Sequence, residues 1–237
     1  MRRRPHFTEF LKRRHTQTQI RLRIHLERIW RAGRPEWEEL RPGLDLMVIP
    51  EVFHPRRGLS TAELLATIDG LGPTPRSRGL DLGTGTGAAA ICMAQHGLEV
   101  DAVDINPRAV QCARLNACLN AVGHRVRVYH GDLFSPVSGL RYDIITFNPP
   151  YLDGLPSSLM DRAFFGGARG EVIQRFFSEV SAHLSPGGQV VLSYSSRGDV
   201  DRLHLQIAAV GLKIRRIVRR PLGNEHLLQY VLARDLS

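Results

Sequence analysis

The sequence predicts an α/β fold: a doubly wound, seven-stranded, mostly parallel sheet that ends in an antiparallel hairpin and carries an N-terminal helical appendage. Three observations predict it. From Arg78 onward, short apolar runs alternate with stretches of helical spacing, which implies βαβ units. A glycine-rich loop, Gly83-Thr84-Gly85-Thr86-Gly87, stands between the first of these strands and the helix after it. The last two strand runs are separated by only a short turn, residues 221–225, which permits a hairpin and no crossover.

Taken in order, residues 7–31 contain no Gly or Pro and carry apolar positions such as Phe7, Phe10, Leu11, Ile20 and Leu26, so one or two helices are expected. Gly33, Pro35, Pro42 and Gly43 then read as a linker, and the boundary falls there: an arginine-rich appendage over 1–43 and a catalytic body over 44–237. Residues 46–49 and 52–53 read as a small hairpin. Ser60 followed by Glu63 has the spacing of a capping box ahead of a helix over 62–68. Strands are expected at 78–82, 99–103, 126–129, 143–147, 189–194, 213–219 and 227–232, with helices at 88–96, 107–121, 170–184 and 199–209.

Charge is distributed unevenly. The 237 residues hold 32 Lys and Arg against 23 Asp and Glu, a net charge of +9, and the only lysines are Lys12 and Lys213. Residues 1–41 hold 12 basic and 5 acidic side chains, net +7, which leaves 20 and 18, net +2, for the remainder. A basic arm of this kind can contact nucleic acid or an acidic surface, while the body is nearly neutral. Cys92, Cys112 and Cys118 form no CxxC pair, so neither a disulfide framework nor zinc is expected, and buried thiols in a reducing cytoplasm are. No stretch approaches the ~20 consecutive apolar residues that span a bilayer, so no membrane partner is expected.

The glycine loop is the first chemical signal. Its alternating glycines let backbone pass close beneath a ligand, and the helix that follows offers free N–H groups. Asp81, two residues ahead of Gly83, would repel a pyrophosphate but suits a ligand bearing an ammonium or sulfonium group. Asp104 ends the next strand, about twenty residues on, where a carboxylate can accept both ribose hydroxyls. Ile105 can cover one face of an adenine ring. Asp132, in Gly131-Asp132-Leu133 after the third strand, can accept from an exocyclic amine.

Residues 78–237 together resemble the class I, Rossmann-like S-adenosylmethionine (SAM)-dependent methyltransferases, with D-x-G-x-G-x-G, an acidic end to strand two and G-D after strand three. The resemblance implies that Asp81, Gly83, Thr84, Gly85 and Gly87 surround the methionine part, that Asp104 binds the ribose, and that Asp132 with Leu133 binds adenine.

The second signal is Asn148-Pro149-Pro150-Tyr151 at the end of strand four. Two prolines stiffen the turn. The Asn148 side-chain carbonyl and the Pro149 backbone carbonyl can then hold both protons of one planar –NH₂ group, and Tyr151 can pack on its plane. Displacement from a positively charged sulfur needs positioning more than a strong base. This tetrapeptide resembles the signature of adenine-N6 and glutamine-amide methyltransferases. Val52-Phe53-His54-Pro55-Arg56 with Ser60-Thr61-Ala62-Glu63-Leu64-Leu65, and Ala163-Phe164-Phe165-Gly166-Gly167-Ala168-Arg169-Gly170, are similar to segments of the HemK/PrmC protein glutamine N5-methyltransferases. Arg169 departs from that family's aspartate, and Arg57-Gly58-Leu59 adds length.

The resemblance implies N-methylation of a protein glutamine, with Asn148, Pro149 and Tyr151 as the catalytic group and Asn148 also contacting the cofactor. A small-molecule acceptor, attack by the cofactor's own amino group, and base methylation in RNA or DNA stay open, as does the oligomeric state. His54 and His130 are the histidines expected near the pocket, and the basic run 213–220 reads as a charged edge strand or a phosphate contact.

Overall fold

A computed structural model describes residues 35–55, 60–158 and 161–235. The helices expected over 7–31 lie outside the described residues, as do Arg56 and residues 57–59. The first element is a hairpin of β1 (Glu36–Arg41) and β2 (Leu44–Val48), antiparallel with Glu36 opposite Val48 and turning at Pro42-Gly43. This corrects two expectations. The stretch read as linker is strand and turn, and residues 46–48 pair with 36–38 and not with 52–53, because Pro42-Gly43, with positive φ at Gly43 (79°), closes a tight turn between the two strands.

Next comes helix α1 (Ser60–Leu71). Its first residues do not make the expected capping box: the Glu63 carboxylate accepts from Arg220 Nε at 3.0 Å, and the Ser60 hydroxyl accepts from Asn148 Nδ2 at 3.3 Å. The alternation then runs β3 (Arg78–Leu82), α2 (Ala88–Gln95), β4 (Glu99–Asp104), α3 (Pro107–Leu119), β5 (Val126–His130), β6 (Tyr142–Phe147), α4 (Glu171–His183), β7 (Leu184–Ser195), α5 (Val200–Ala209), β8 (Lys213–Leu222) and β9 (Glu225–Ala233). Asn106 caps α3 by accepting from the Arg108 N–H at 2.9 Å, and Pro107 takes the first helical position, where no N–H is needed.

The sheet order is β5-β4-β3-β6-β7-β9-β8, with β9 the antiparallel member inserted between β7 and β8. Neighbouring residues of one strand feed opposite layers, which is why these strands read as continuous apolar runs. Ile144 packs with α1, α2 and α3, while Ile145 packs with α4 and α5. Helix α2 is buried from Ala88 to Ala94, behind the glycine loop. A third cluster, Met47, Ile49 and Val52 against Ala109, Cys112 and Leu115, fastens the hairpin to α3. Of the three free thiols Cys92 and Cys112 are buried, but Cys118 is exposed, contrary to expectation, because it sits on the outer face of α3.

Candidate active site

The chain leaves β3 toward β4 and β5 on one side, then returns to lay β6 against the other side of β3. That reversal opens a crevice at the carboxyl ends of β3 and β6, the position where open α/β sheets bind ligands. Leu82 pairs with Phe147, so the glycine loop and the Asn148 tetrapeptide emerge side by side. Both line one cavity of about 480 Å³, within the range of small-molecule sites.

In the loop, Gly83, Gly85 and Gly87 have φ of 62°, 55° and 85°, a left-handed run that L side chains resist. A Cβ at Gly85 would meet no atom nearer than 4.0 Å, so the loop leaves open space above its backbone, as a cradle for a ligand requires. Asp81 is buried, its carboxylate accepting from the Thr84 hydroxyl at 2.6 Å and the Thr146 hydroxyl at 2.8 Å. Burial pushes its pKa up to about 6, against the pull of those two hydroxyls. Both Asp104 oxygens accept backbone N–H groups, from Gly85 at 2.8 Å and Asn106 at 2.8 Å, while burial raises its pKa. The Asp104 carboxylate thus clamps the glycine loop to the end of β4.

Ile105 lines the cavity, and its carbonyl lies 3.1 Å from His130 Nε2. Leu133, buried and at φ 46°, also lines it. Asp132 lines it too, but is ion-paired with Arg175 of α4 at 2.8 Å, a partner that sequence spacing gave no sign of. These residues fit a nucleoside-bearing cationic ligand: an open glycine cradle, a buried carboxylate, and a second carboxylate one strand over.

On the β6 side, Asn148 lines the cavity and donates to Ser60. The Tyr151 ring lies edge-on to Tyr194, centroids 6.0 Å apart, and burial raises its pKa. The Phe164–Gly167 segment folds back onto the tetrapeptide: Leu152 N–H donates to the Phe164 carbonyl at 3.0 Å, and Gly166 N–H to the Leu152 carbonyl at 2.9 Å. A Cβ at Gly166 would fall 2.6 Å from the Pro150 carbonyl, so this close approach requires glycine. Phe53 and Phe164 meet edge-to-face, centroids 5.5 Å apart, at the rim. Arg169, the departure noted in the sequence, does not line the cavity.

Sequence reasoning missed Glu171 and Glu225, two carboxylates on the acceptor side, and Asn116, whose side chain joins β2 to the loop. The signal for Asn116 was a single amide in the apolar stripe of α3. Neither His54 nor His130 lines the cavity. Among the described residues, Asp69, Cys92 and His96 bring potential ligand atoms within 4.8 Å of one another. The Arg41 guanidinium bonds Asp69 and lies 3.2 Å from Cys92 Sγ, so a fixed cation already occupies that cluster. No helix among the described residues is long and apolar enough to cross a membrane.

The family described as the methyltransferase small domain matches residues 45–207. A relative from Methanocaldococcus jannaschii, named as a protein N5-glutamine methyltransferase, is 33% identical over 193 residues, 78% of this chain and 93% of that one. The release factor glutamine methyltransferase of Koribacter versatilis is 36% identical over 160 residues, 62% of this chain and 56% of its own length. Among solved structures, the T. thermophilus 16S rRNA N2 G1207 methyltransferase in complex with AdoMet and guanosine superposes with a TM-score of 0.60 at 23% identity, over 83% of this chain and 50% of that one, a likeness of fold. With more than half its length matched, and the Methanocaldococcus jannaschii relative spanned nearly end to end, the chain belongs to the methyltransferase small domain family.

Proposed function

We propose that the protein binds SAM and transfers its methyl group to the nitrogen of a planar amide, of the glutamine side-chain type, on a protein acceptor. One observation carries the reading: Asn148-Pro149-Pro150-Tyr151 and the glycine loop line the same cavity from adjacent strand ends. SAM supplies an electrophilic methyl on a positively charged sulfur. The loop from Gly83 to Gly87 and Asp81 would hold the methionine part, Asp104 the ribose, and Ile105, Asp132 and Leu133 the adenine.

The Asn148 carbonyl and the Pro149 carbonyl accept the two amide protons and aim the nitrogen lone pair, and Tyr151 packs on the amide plane. As the C–N bond forms, the C–S bond breaks, its electron pair neutralises the sulfur, and the surplus nitrogen proton passes to solvent. The names of the glutamine-modifying relatives support this acceptor class.

Incubation with methyl-labelled SAM and N-acetylglutamine amide should place label on the amide nitrogen, read by mass spectrometry. SAM consumed with no acceptor present would instead reveal self-directed chemistry and overturn the reading. Asn148→Ala should cut turnover by about 100-fold or more while cofactor affinity stays within about twofold, because the glycine loop and three carboxylates still hold the cofactor and the chief loss is the acceptor's position. Retained turnover would remove Asn148 from its assigned role.

A further inference from the structure

We propose that the edge strand β8 is a contact surface for the phosphodiester backbone of a nucleic acid, laid so that it leads to the mouth of the cavity. The inference comes from β8 alone and stands whether or not the acceptor is an amide.

Strand β8, Lys213-Ile214-Arg215-Arg216-Ile217-Val218-Arg219-Arg220-Pro221-Leu222, carries five cations and no carboxylate, and among the described residues it is hydrogen-bonded on one side only, to β9. Its basic side chains reach both sides of the sheet. Arg220 bonds Glu63 of α1, and the Arg216 guanidinium lies 3.6 Å from where a Cβ on Gly70 of α1 would sit. Ile217 packs into the opposite layer with α4 and α5, and Arg219 shares its parity. A bulge between Ile214 and Arg216 sets Arg215 apart, where it pairs with Asp235 at 2.8 Å.

Lys213, Arg216 and Arg219 are all exposed, and among the described residues none has a carboxylate within 4.0 Å. Three uncompensated cations on one edge differ from the rest of the body, where most arginines near the surface find an acid or a carbonyl. Four of the five cations are arginine, whose planar fork matches phosphate oxygens. The strand advances ~3.3 Å per residue, close to the ~3.4 Å per charge along one nucleic-acid strand. Cations splayed to both sides of an exposed edge can straddle a backbone running along it.

Direction links this strip to the chemistry. Leu222, the last residue of β8, lines the cavity with Glu225 and Leu227 of β9. A polyanion lying on β8 therefore ends at the opening through which the acceptor enters. Protection of a sheet edge from pairing, the other use of edge charge, requires neither unpaired cations nor an end at the cavity.

The test is fluorescence anisotropy on the full chain with a short single-stranded RNA, a DNA duplex of the same sequence, and phosphatidylserine vesicles, each titrated across a range of salt. Wild type should bind one or both nucleic acids with log K falling linearly against log salt. The triple variant Lys213→Gln, Arg216→Gln, Arg219→Gln should bind more weakly and lower that slope by about 2–3. The RNA and DNA arms decide which backbone is the source, and the arginines of residues 1–41 are present in every sample and cancel from the comparison. Arg125→Gln, near the opposite sheet edge, should leave the slope unchanged, and an unaltered thermal midpoint and cofactor affinity certify that the triple variant is folded. Equal slopes for wild type and the triple variant, or binding to vesicles alone, would overturn the proposal.

Discussion

Replacing Asn116 by alanine should destabilise the protein by about 3 kcal/mol, and the reason can be read from its partners. Asn116 is fully buried on α3. Its Oδ1 accepts from the Met47 N–H at 2.8 Å, and its Nδ2 donates to the Met47 carbonyl at 3.0 Å and the Thr86 carbonyl at 2.8 Å. Removing the side chain orphans the Met47 N–H and the Thr86 carbonyl, while the Met47 carbonyl keeps the Cys112 thiol at 3.1 Å. Each buried orphan costs about 1–3 kcal/mol, which gives roughly 2–6 kcal/mol in total. For a chain of this length that lowers the melting temperature by roughly 6–12 °C. Urea titration followed by circular dichroism measures the loss directly. Cofactor affinity should weaken as well, because Thr86 belongs to the glycine loop. Asn116→Asp should be worse still, since a carboxylate would face two carbonyls. A loss below about 1 kcal/mol for the alanine variant would show that the amide network contributes little and that the hairpin holds to α3 by apolar contact alone.

Two further outcomes follow from the glycine loop and the carboxylate ahead of it. Gly87→Ala should cost about 1–3 kcal/mol and abolish cofactor binding: φ is 85°, and the new Cβ would lie 3.1 Å from the backbone Cα of Ala113, which cannot yield. Denaturation and cofactor titration check both, and unchanged stability refutes the strain. Asp81 should make cofactor affinity pH-dependent. Its pKa in the folded protein is raised to about 6, so its contribution favours folding below the ordinary carboxylate value and is lost as pH rises through about 6. A cationic ligand beside it prefers the ionised form, so affinity should fall as pH drops below about 6, with proton release on binding. Calorimetry in two buffers of different ionisation enthalpy measures that release, and an affinity flat through mild acid would place the ligand's positive charge away from Asp81.

Most of the body was legible because its signals are local. Ile144-Ile145-Thr146-Phe147 is a buried apolar run ended by Asn-Pro-Pro, and Asn106-Pro107 marks a helix start with two residues. The hairpin was not, because Glu36-Trp37-Glu38-Glu39 carries no strand-like alternation and becomes a strand only by pairing with β2. Within the site, the cofactor-side residues were readable from their place at strand ends. What escaped was long-range: Asp132 meets Arg175, and Asn148 meets Ser60, at separations of 43 and 88 residues. Asp104 was readable as a ligand group, but its second task of clamping Gly85 depends on how the loop folds over β4.

The hairpin also bears on where this protein can be cut. Strand β1 ends in Arg41, whose guanidinium ties α1 to α2 through Asp69 and Cys92, and β2 rests on the same amide that steadies the glycine loop. Excising residues 1–41 to ask what the basic segment does would therefore also expose the pairing edge of β2 and strip a cation from between two helices. Any activity lost that way would be ambiguous between charge and folding. A deletion that stops short of Pro35 keeps the β1–β2 pairing and the Arg41 contacts while removing the arginines before it.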